Sequence, residues 1–327
     1  MKLRISLALL ITCPLILFAQ SEPEGKKIEK GVAAYQRSDF NSAIIHYTNA
    51  IELNPKSGIA YGYRAEAFLR IGRFHEAIAD CNKAIDLNSN LPQAYFVRGK
   101  SMEAIGKYEN AIIDFGKALE LRSGNSAAYF QRGNVFHQLK RHLEAIEDYN
   151  KALELNPKLI QALLKRGLAY RSSGELPKAL DDFRNGIALH PDSTFFHHEL
   201  GATLVELKKY SEAVPFFTKA IELSPNNESI YNDRAVAFQK AGESDKALAD
   251  FDKAIELNSR SSKAYKKRGD FYLHMGDYPR AVLDFNQSIK LNSRNPGAYL
   301  SRAKAYQSMG KNVEAEADFT KVKTLAK

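Results

Sequence analysis

Two sets of residues in this chain have types and spacing that could do chemistry. The first is His197-His198-Glu199, three side chains in a row that can each ligate a metal. Adjacent positions on a helix point in different directions, however, so one metal would not take all three, and no further ligand cluster stands nearby in sequence. The second is a recurring cation and carboxylate. Arg64, Arg98, Arg132, Arg166, Arg234, Arg268 and Arg302 are each followed sixteen residues on by Asp80, Asp114, Asp148, Asp182, Asp250, Asp284 and Asp318. A guanidinium and a carboxylate that recur together read as a structural ion pair, largely desolvated. There is no Gly-rich phosphate loop, CxxC pair or GxSxG elbow. No catalytic, cofactor or metal site is expected.

The elements that position these residues follow a 34-residue period without insertion or deletion. Ala recurs at Ala43, Ala77, Ala111, Ala145, Ala179, Ala213, Ala247, Ala281 and Ala315. Four residues after these stand Tyr47, Cys81, Phe115, Tyr149, Phe183, Phe217, Phe251, Phe285 and Phe319, and twelve before them a tiny residue such as Gly99 or Gly133. A fixed period of this length means a stack of identical supersecondary units. Each unit holds two amphipathic segments of helical periodicity. Gly72, Gly106, Gly174, Gly242, Gly276 and Gly310 fall at the turn between them, where a left-handed residue ends a helix. Asn54, Asn88, Asn156, Asn258 and Asn292 close the second segment. His190-Pro191-Asp192 lies in register with Asn54-Pro55 and Asn156-Pro157, and reads as a helix terminator.

The period also decides how the charges pair. The two units without the Arg carry Lys30 and Leu200, and the same two carry His46 and Phe216 in place of the Asp. Pairing each Arg with the Asp of the previous unit would set Arg64 opposite His46 and Arg234 opposite Phe216. Pairing within a unit leaves no orphan, so the ion pair is expected to join the two helices of one repeat.

The repeat resembles the tetratricopeptide repeat. Its third unit shows Tyr95, Arg98-Gly99, Met102, Gly106, Tyr108, Ala111, Phe115 and Ala118, and its fourth Tyr129, Arg132-Gly133, Phe136, Ala145, Tyr149, Ala152 and Pro157. The resemblance covers nine units, 24–57, 58–91, 92–125, 126–159, 160–193, 194–227, 228–261, 262–295 and 296–327. It implies an all-α fold, an α-solenoid whose helix-turn-helix units wind into a right-handed superhelix. It also implies that the first helix of each unit lines a concave groove. Carried onto this chain, the groove reads Phe96, Lys100, Phe130, Asn134, His137, Leu164, Leu168, Arg171, Phe195, His198 and Val236. Phe96, Phe130 and Leu164 suggest a strip that docks a peptide or helix, with Asn134 free to bond an extended backbone; alternatively these residues pack on one another across neighbouring helices. Lys263, Lys266, Lys267 and Lys304 form a basic patch farther along. The family's clamp for a C-terminal carboxylate is absent, because Lys266 is followed by Asp270 and Asn134 is preceded by Phe130.

Charge and the N-terminus set the context. The formal net charge is +9, and the excess of cations lies in the last two units. Such an end suits an acidic partner or simply keeps the stack soluble. Lys2 and Arg4 precede an apolar run from Ile5 to Phe18, which reads as a secretory signal over 1–19 cut after Ala19, with a short linker at 20–23. Export to the periplasm or medium is therefore expected, with membrane contact only if that segment is retained. Cys81 sits at an aromatic position of its repeat and reads as a small buried hydrophobe. Charged Glu316 and Lys323 replace the apolar stacking positions of earlier units, and Lys26, Lys27 and Lys30 stand on the opening helix, which points to a monomer. Two functions fit. One is an exported scaffold that binds a protein or peptide in its groove. The other is a structural envelope-assembly factor, acting by self-association or by docking on an acidic polysaccharide or membrane through its basic repeats. No nucleic-acid partner is expected.

Overall fold

A computed structural model describes residues 23–325. The secretory segment expected at 1–19 lies outside them. Among the described residues there are eighteen α-helices and no strand. The chain divides into two compact bodies, one through Ala162 and one from Leu163.

The N-terminal body contains α1 (Pro23–Gln36), α2 (Phe40–Leu53), α3 (Gly58–Arg70), α4 (Phe74–Leu87), α5 (Pro92–Ala104), α6 (Tyr108–Leu121), α7 (Ser126–Gln138) and α8 (His142–Leu155). These form four helical hairpins, and α2, α4 and α6 pack on α3, α5 and α7. First helices also touch, α3 with α5 and α5 with α7, so they make one layer of the body. The division falls inside α9 (Ile160–Ser172). The C-terminal body continues with α10 (Leu176–Leu189), α11 (Thr194–Glu206), α12 (Tyr210–Leu223), α13 (Glu228–Lys240), α14 (Ser244–Leu257), α15 (Ser262–His274), α16 (Tyr278–Leu291), α17 (Pro296–Ser308) and α18 (Asn312–Leu325). Here α11, α13, α15 and α17 form the corresponding layer.

Local chemistry sets the ends of these helices. Ser57, Asn125 and Ser261 accept a backbone N–H with their side chains at the start of α3, α7 and α15. At each hairpin turn the chain takes a left-handed residue, and the next N–H reaches back five residues, as from Arg73 to Phe68 O at 2.9 Å. Six of these left-handed positions are glycine, while Ser38, Lys140 and Lys208 hold φ of 63°, 60° and 61° there without being glycine. Asn54, Asn88, Asn156, Asn258 and Asn292 close the second helices, and the side chain of each accepts the N–H two residues on.

The core of most hairpins is an aromatic ring laid against a glycine or alanine. Phe115 is fully buried, and a Cβ at Gly99 would lie 2.9 Å from its ring. Cys81 takes the aromatic place beside Ala65 and is fully buried, and burial pushes its thiol well above its usual range.

The Arg and Asp columns meet inside each hairpin. Arg98 Nε donates to Asp114 Oδ2 at 2.8 Å and Nη2 to Oδ1 at 2.7 Å. The same pairing recurs for Arg64–Asp80, Arg132–Asp148, Arg166–Asp182, Arg234–Asp250, Arg268–Asp284 and Arg302–Asp318, with shortest distances of 2.6–2.8 Å. The carboxylates are all buried. Five of the guanidinium groups do more than bridge one hairpin. Arg98 Nη1 donates to Asn82 on α4, and Arg268 Nη1 to Asp252 on α14, so these two also tie their repeats to the second helix of the preceding one. Thr48, Thr218 and Asn286 accept in the same way from Arg64, Arg234 and Arg302. Gly116 stands at that position before Arg132 and offers no side-chain acceptor. Aromatic rings complete the cage, with Tyr129 and Phe136 centred 5.8 and 5.9 Å from the Arg132 guanidinium carbon.

Candidate functional site

In each body the layer of first helices is where side chains are left over from packing, and the two bodies fill theirs differently. In the N-terminal body it is aromatic. The Phe96 ring lies 5.7 Å from Phe115 and the Phe130 ring 6.0 Å from Tyr149, and both are half-buried. Neither is the free side chain that the docking-strip expectation assumed, because the second-helix aromatic reaches through to the inner layer and is covered there. Lys100 sets its ammonium 6.0 Å from the Phe96 ring centre. Asn134 accepts from the Tyr149 hydroxyl at 2.9 Å and donates to Gln131 at 3.1 Å, so its amide already has partners on both sides. The His137 and His142 rings meet at 58°, with their Nδ1 atoms 3.3 Å apart.

The same layer holds a cluster that residue-by-residue transfer missed. The Tyr35 hydroxyl donates to Glu66 at 3.3 Å and accepts from Arg70 at 3.0 Å, while Gln93 donates to the other Glu66 oxygen. Burial and the Glu66 charge push the Tyr35 phenol up to about 12. Tyr63 stacks on Tyr47 with centroids 5.5 Å apart. Burial likewise raises the Glu103 carboxyl.

In the C-terminal body the inner layer is ionic. Arg171 on α9 pairs with Glu199 on α11, and its Nε lies 3.3 Å from Glu206. His198 sits between two carboxylates, Glu199 at 3.4 Å and Asp233 on α13 at 2.9 Å. Lys267 on α15 donates to the other Asp233 oxygen at 2.6 Å. The result is an alternating chain, Arg171–Glu199–His198–Asp233–Lys267, with members from four successive first helices. Burial works against charge on His198, but the hydrogen bonds and charges of Asp233 and Glu199 outweigh it and raise the imidazole to about 9. Burial also opposes ionisation of Asp233, yet His198 and Lys267 hold it down to about 2. Sequence reasoning treated His198, Arg171 and Lys267 as separate ligand contacts. The available signal was columnar, since Asp233 and Lys267 occupy the same position of adjacent repeats.

The remaining expected residues separate. His197 turns away from His198 into the core, where its Nε2 lies 2.8 Å from Pro191 O and its ring 6.4 Å from Phe216. No group of metal-competent side chains comes together among the described residues. Leu164 and Leu168 are half-buried, whereas Phe195 is 70 % exposed at the start of α11. The basic patch is partly neutralised, because Lys266 donates to Asp270 at 2.7 Å and Lys267 is held by Asp233. Lys263 and Lys304 are exposed. Between α13 and α15 lies a cleft of ≈ 550 Å³, with Val236, Gln239 and Lys240 on one wall and Lys263, Lys266, Lys267, Asp270 and His274 on the other. Among the described residues no helix is long and apolar enough to cross a membrane.

Models of the tetratricopeptide repeat match this chain at 28–92, 92–125, 126–159, 161–193, 194–227, 229–261 and 251–282, and a TPR-repeat model matches 269–310. The human protein DnaJ homolog subfamily C member 7 is 43 % identical over 56 residues, which are 17 % of this chain and only 11 % of that protein. The C-terminal part of a TPR repeat-containing protein from Cytophaga hutchinsonii superposes with a TM-score of 0.61 at 21 % identity, covering 73 % of this chain and 98 % of that one. YrrB, described as a TPR protein with an unusual peptide-binding site, gives 0.51 at 24 % identity, covering 56 % and 95 %. At these identities the structural matches establish the fold, an α-solenoid of helix-turn-helix repeats.

Proposed function

This chain belongs to the tetratricopeptide-repeat family, and from that premise we propose that it is a non-catalytic scaffold that takes a peptide or helix of a partner protein on the inner layer of its first helices. The observation that carries this reading is Phe195, a large aromatic held 70 % exposed on a first helix of the C-terminal body; the partly covered Phe96 and Phe130 rings stand on first helices of the N-terminal body. No hairpin core requires an aromatic at that position, and apolar surface of this kind is what a partner covers. The peptide-binding site named for YrrB agrees with this reading.

The scaffold is proposed to act after export, in the periplasm or medium, on the strength of the basic start and apolar run in residues 1–19. Mass spectrometry of the mature N-terminus checks this, with Gln20 expected as the first residue. The second reading is assembly by self-association or by docking on an acidic surface. It draws on exposed Lys263 and Lys304, and association of the purified protein with itself, read from its size in solution, would favour it.

The decisive experiment places a photo-reactive phenylalanine analogue at Phe130 and at Phe195, and separately at Ile113 and Leu283, which are exposed on second helices. Crosslinks in the native host are expected from the first pair and not from the second. Crosslinks from Ile113 or Leu283 alone would refute inner-layer binding.

A further inference from the structure

We propose that the cleft between α13 and α15 binds the carboxylate side chains of an acidic peptide segment, which names the partner chemistry for the scaffold reading above and rests on it. The cleft measures ≈ 550 Å³, a size that admits a few residues of extended chain. Four lysines line it against the single carboxylate of Asp270. Lys240 and Lys263 are exposed, and no carboxylate pairs with either among the described residues. Lys266 has only Asp270, one turn along its own helix, and an incoming carboxylate can share that ammonium. Lys267 is different. Asp233 fixes its position from α13, and Asp233 is itself held by His198, so this ammonium is set in place before any ligand arrives. A recess with cationic walls and a low-dielectric floor, here Val236 and the lysine stems, focuses potential on an anion inside it.

The lining favours carboxylates on a peptide over other anions. No Phe, Tyr or Trp faces the cleft, so nucleic-acid bases would have a single imidazole, that of His274, to stack on and no aromatic platform for successive bases. No Arg is present to grip a phosphate with a two-pronged donor. Lys266 and Lys267 are half-buried, and a flat bilayer would meet only Lys240 and Lys263 at the rim.

The test measures fluorescence anisotropy of a labelled oligoglutamate peptide with the mature protein. Oligolysine, single-stranded DNA and phosphatidylserine vesicles serve as competing probes. Oligoglutamate is expected to bind and oligolysine not to. The double variant Lys240→Glu with Lys263→Glu should weaken binding about tenfold or more, two contacts each turning from attraction to repulsion. The control Lys219→Glu with Lys253→Glu makes the same change in net charge on the second helices α12 and α14, and should leave Kd within about twofold. Circular dichroism should show both variants folded, since the altered side chains lie at the surface. Equal losses in the two variants, or no oligoglutamate binding, would overturn the proposal. So would tighter binding of DNA or vesicles with the same dependence on Lys240 and Lys263. If those failures occur while Phe130 and Phe195 still crosslink a partner, only the acidic-peptide assignment falls. Loss of the crosslinks removes the scaffold reading instead.

Discussion

The hairpins α7–α8 and α11–α12 have the same backbone and solve the same packing problem with opposite chemistry. In the first, Arg132 and Asp148 bridge the helices and two rings flank the guanidinium. In the second, Leu200, 1 % exposed, and half-buried Phe216 occupy those positions. The substitution has spread to its neighbours. Arg184 stands where Thr48, Asn82, Thr218, Asp252 and Asn286 offer an acceptor to the next Arg, and it pairs with Asp181 instead. Phe196 replaces the alanine that α3, α5, α7, α9, α15 and α17 carry at that position, and Gly186 replaces Ala opposite it, because a Cβ at Gly186 would collide with the Phe196 ring. An ion pair and an apolar contact are thus interchangeable only as whole sets. A single member moved between them is left without its complement.

Breaking the ionic set should have the largest effect. Arg132→Leu strands buried Asp148 and should cost about 3–5 kcal/mol, read from denaturant unfolding. Adding Asp148→Phe, which copies the other hairpin, should recover much of that loss. Simple additivity of the two changes would disprove the coupling. The apolar set should break at Gly186→Ala, where Phe196 has to leave its rotamer, at a cost of about 2 kcal/mol. The companion change Phe196→Ala should then remove the clash, and a thermal melt that shows no such rescue would contradict the pairing.

The α11–α12 hairpin should also respond to pH. His198 titrates higher folded than unfolded, so its contribution is complete below about pH 6.5 and is lost as pH rises through about 9. Stability should therefore fall by about 3 kcal/mol across that window. His198→Ala should flatten the profile, and an unchanged slope in that variant would place the titration elsewhere. The smallest effect belongs to the turns. Lys140 and Lys208 are both held in the left-handed region, and Lys140→Gly or Lys208→Gly should each raise stability by about 1 kcal/mol by relieving Cβ strain. An equal gain from Lys209→Gly, one residue beyond a left-handed position, would mean that φ is not the cause.

The period of the sequence by itself determined most of the fold. Helix pairs, their turns at Gly72 and Gly106, and the Asn closing residues are local, and each follows from side chains within a few residues. The partner of each Arg was also legible, because Lys30 with His46 and Leu200 with Phe216 depart together. Only the tertiary structure decided what the inner layer offers. Whether Phe96 and Phe130 stand free or are covered depends on Phe115 and Tyr149 reaching through from the second helix. Whether Lys267 is an open cation or a neutralised one depends on Asp233, 34 residues earlier. Local periodicity says which face a side chain leaves by, whereas the charge a partner meets is set by the neighbouring repeat, at a distance that only stacking closes.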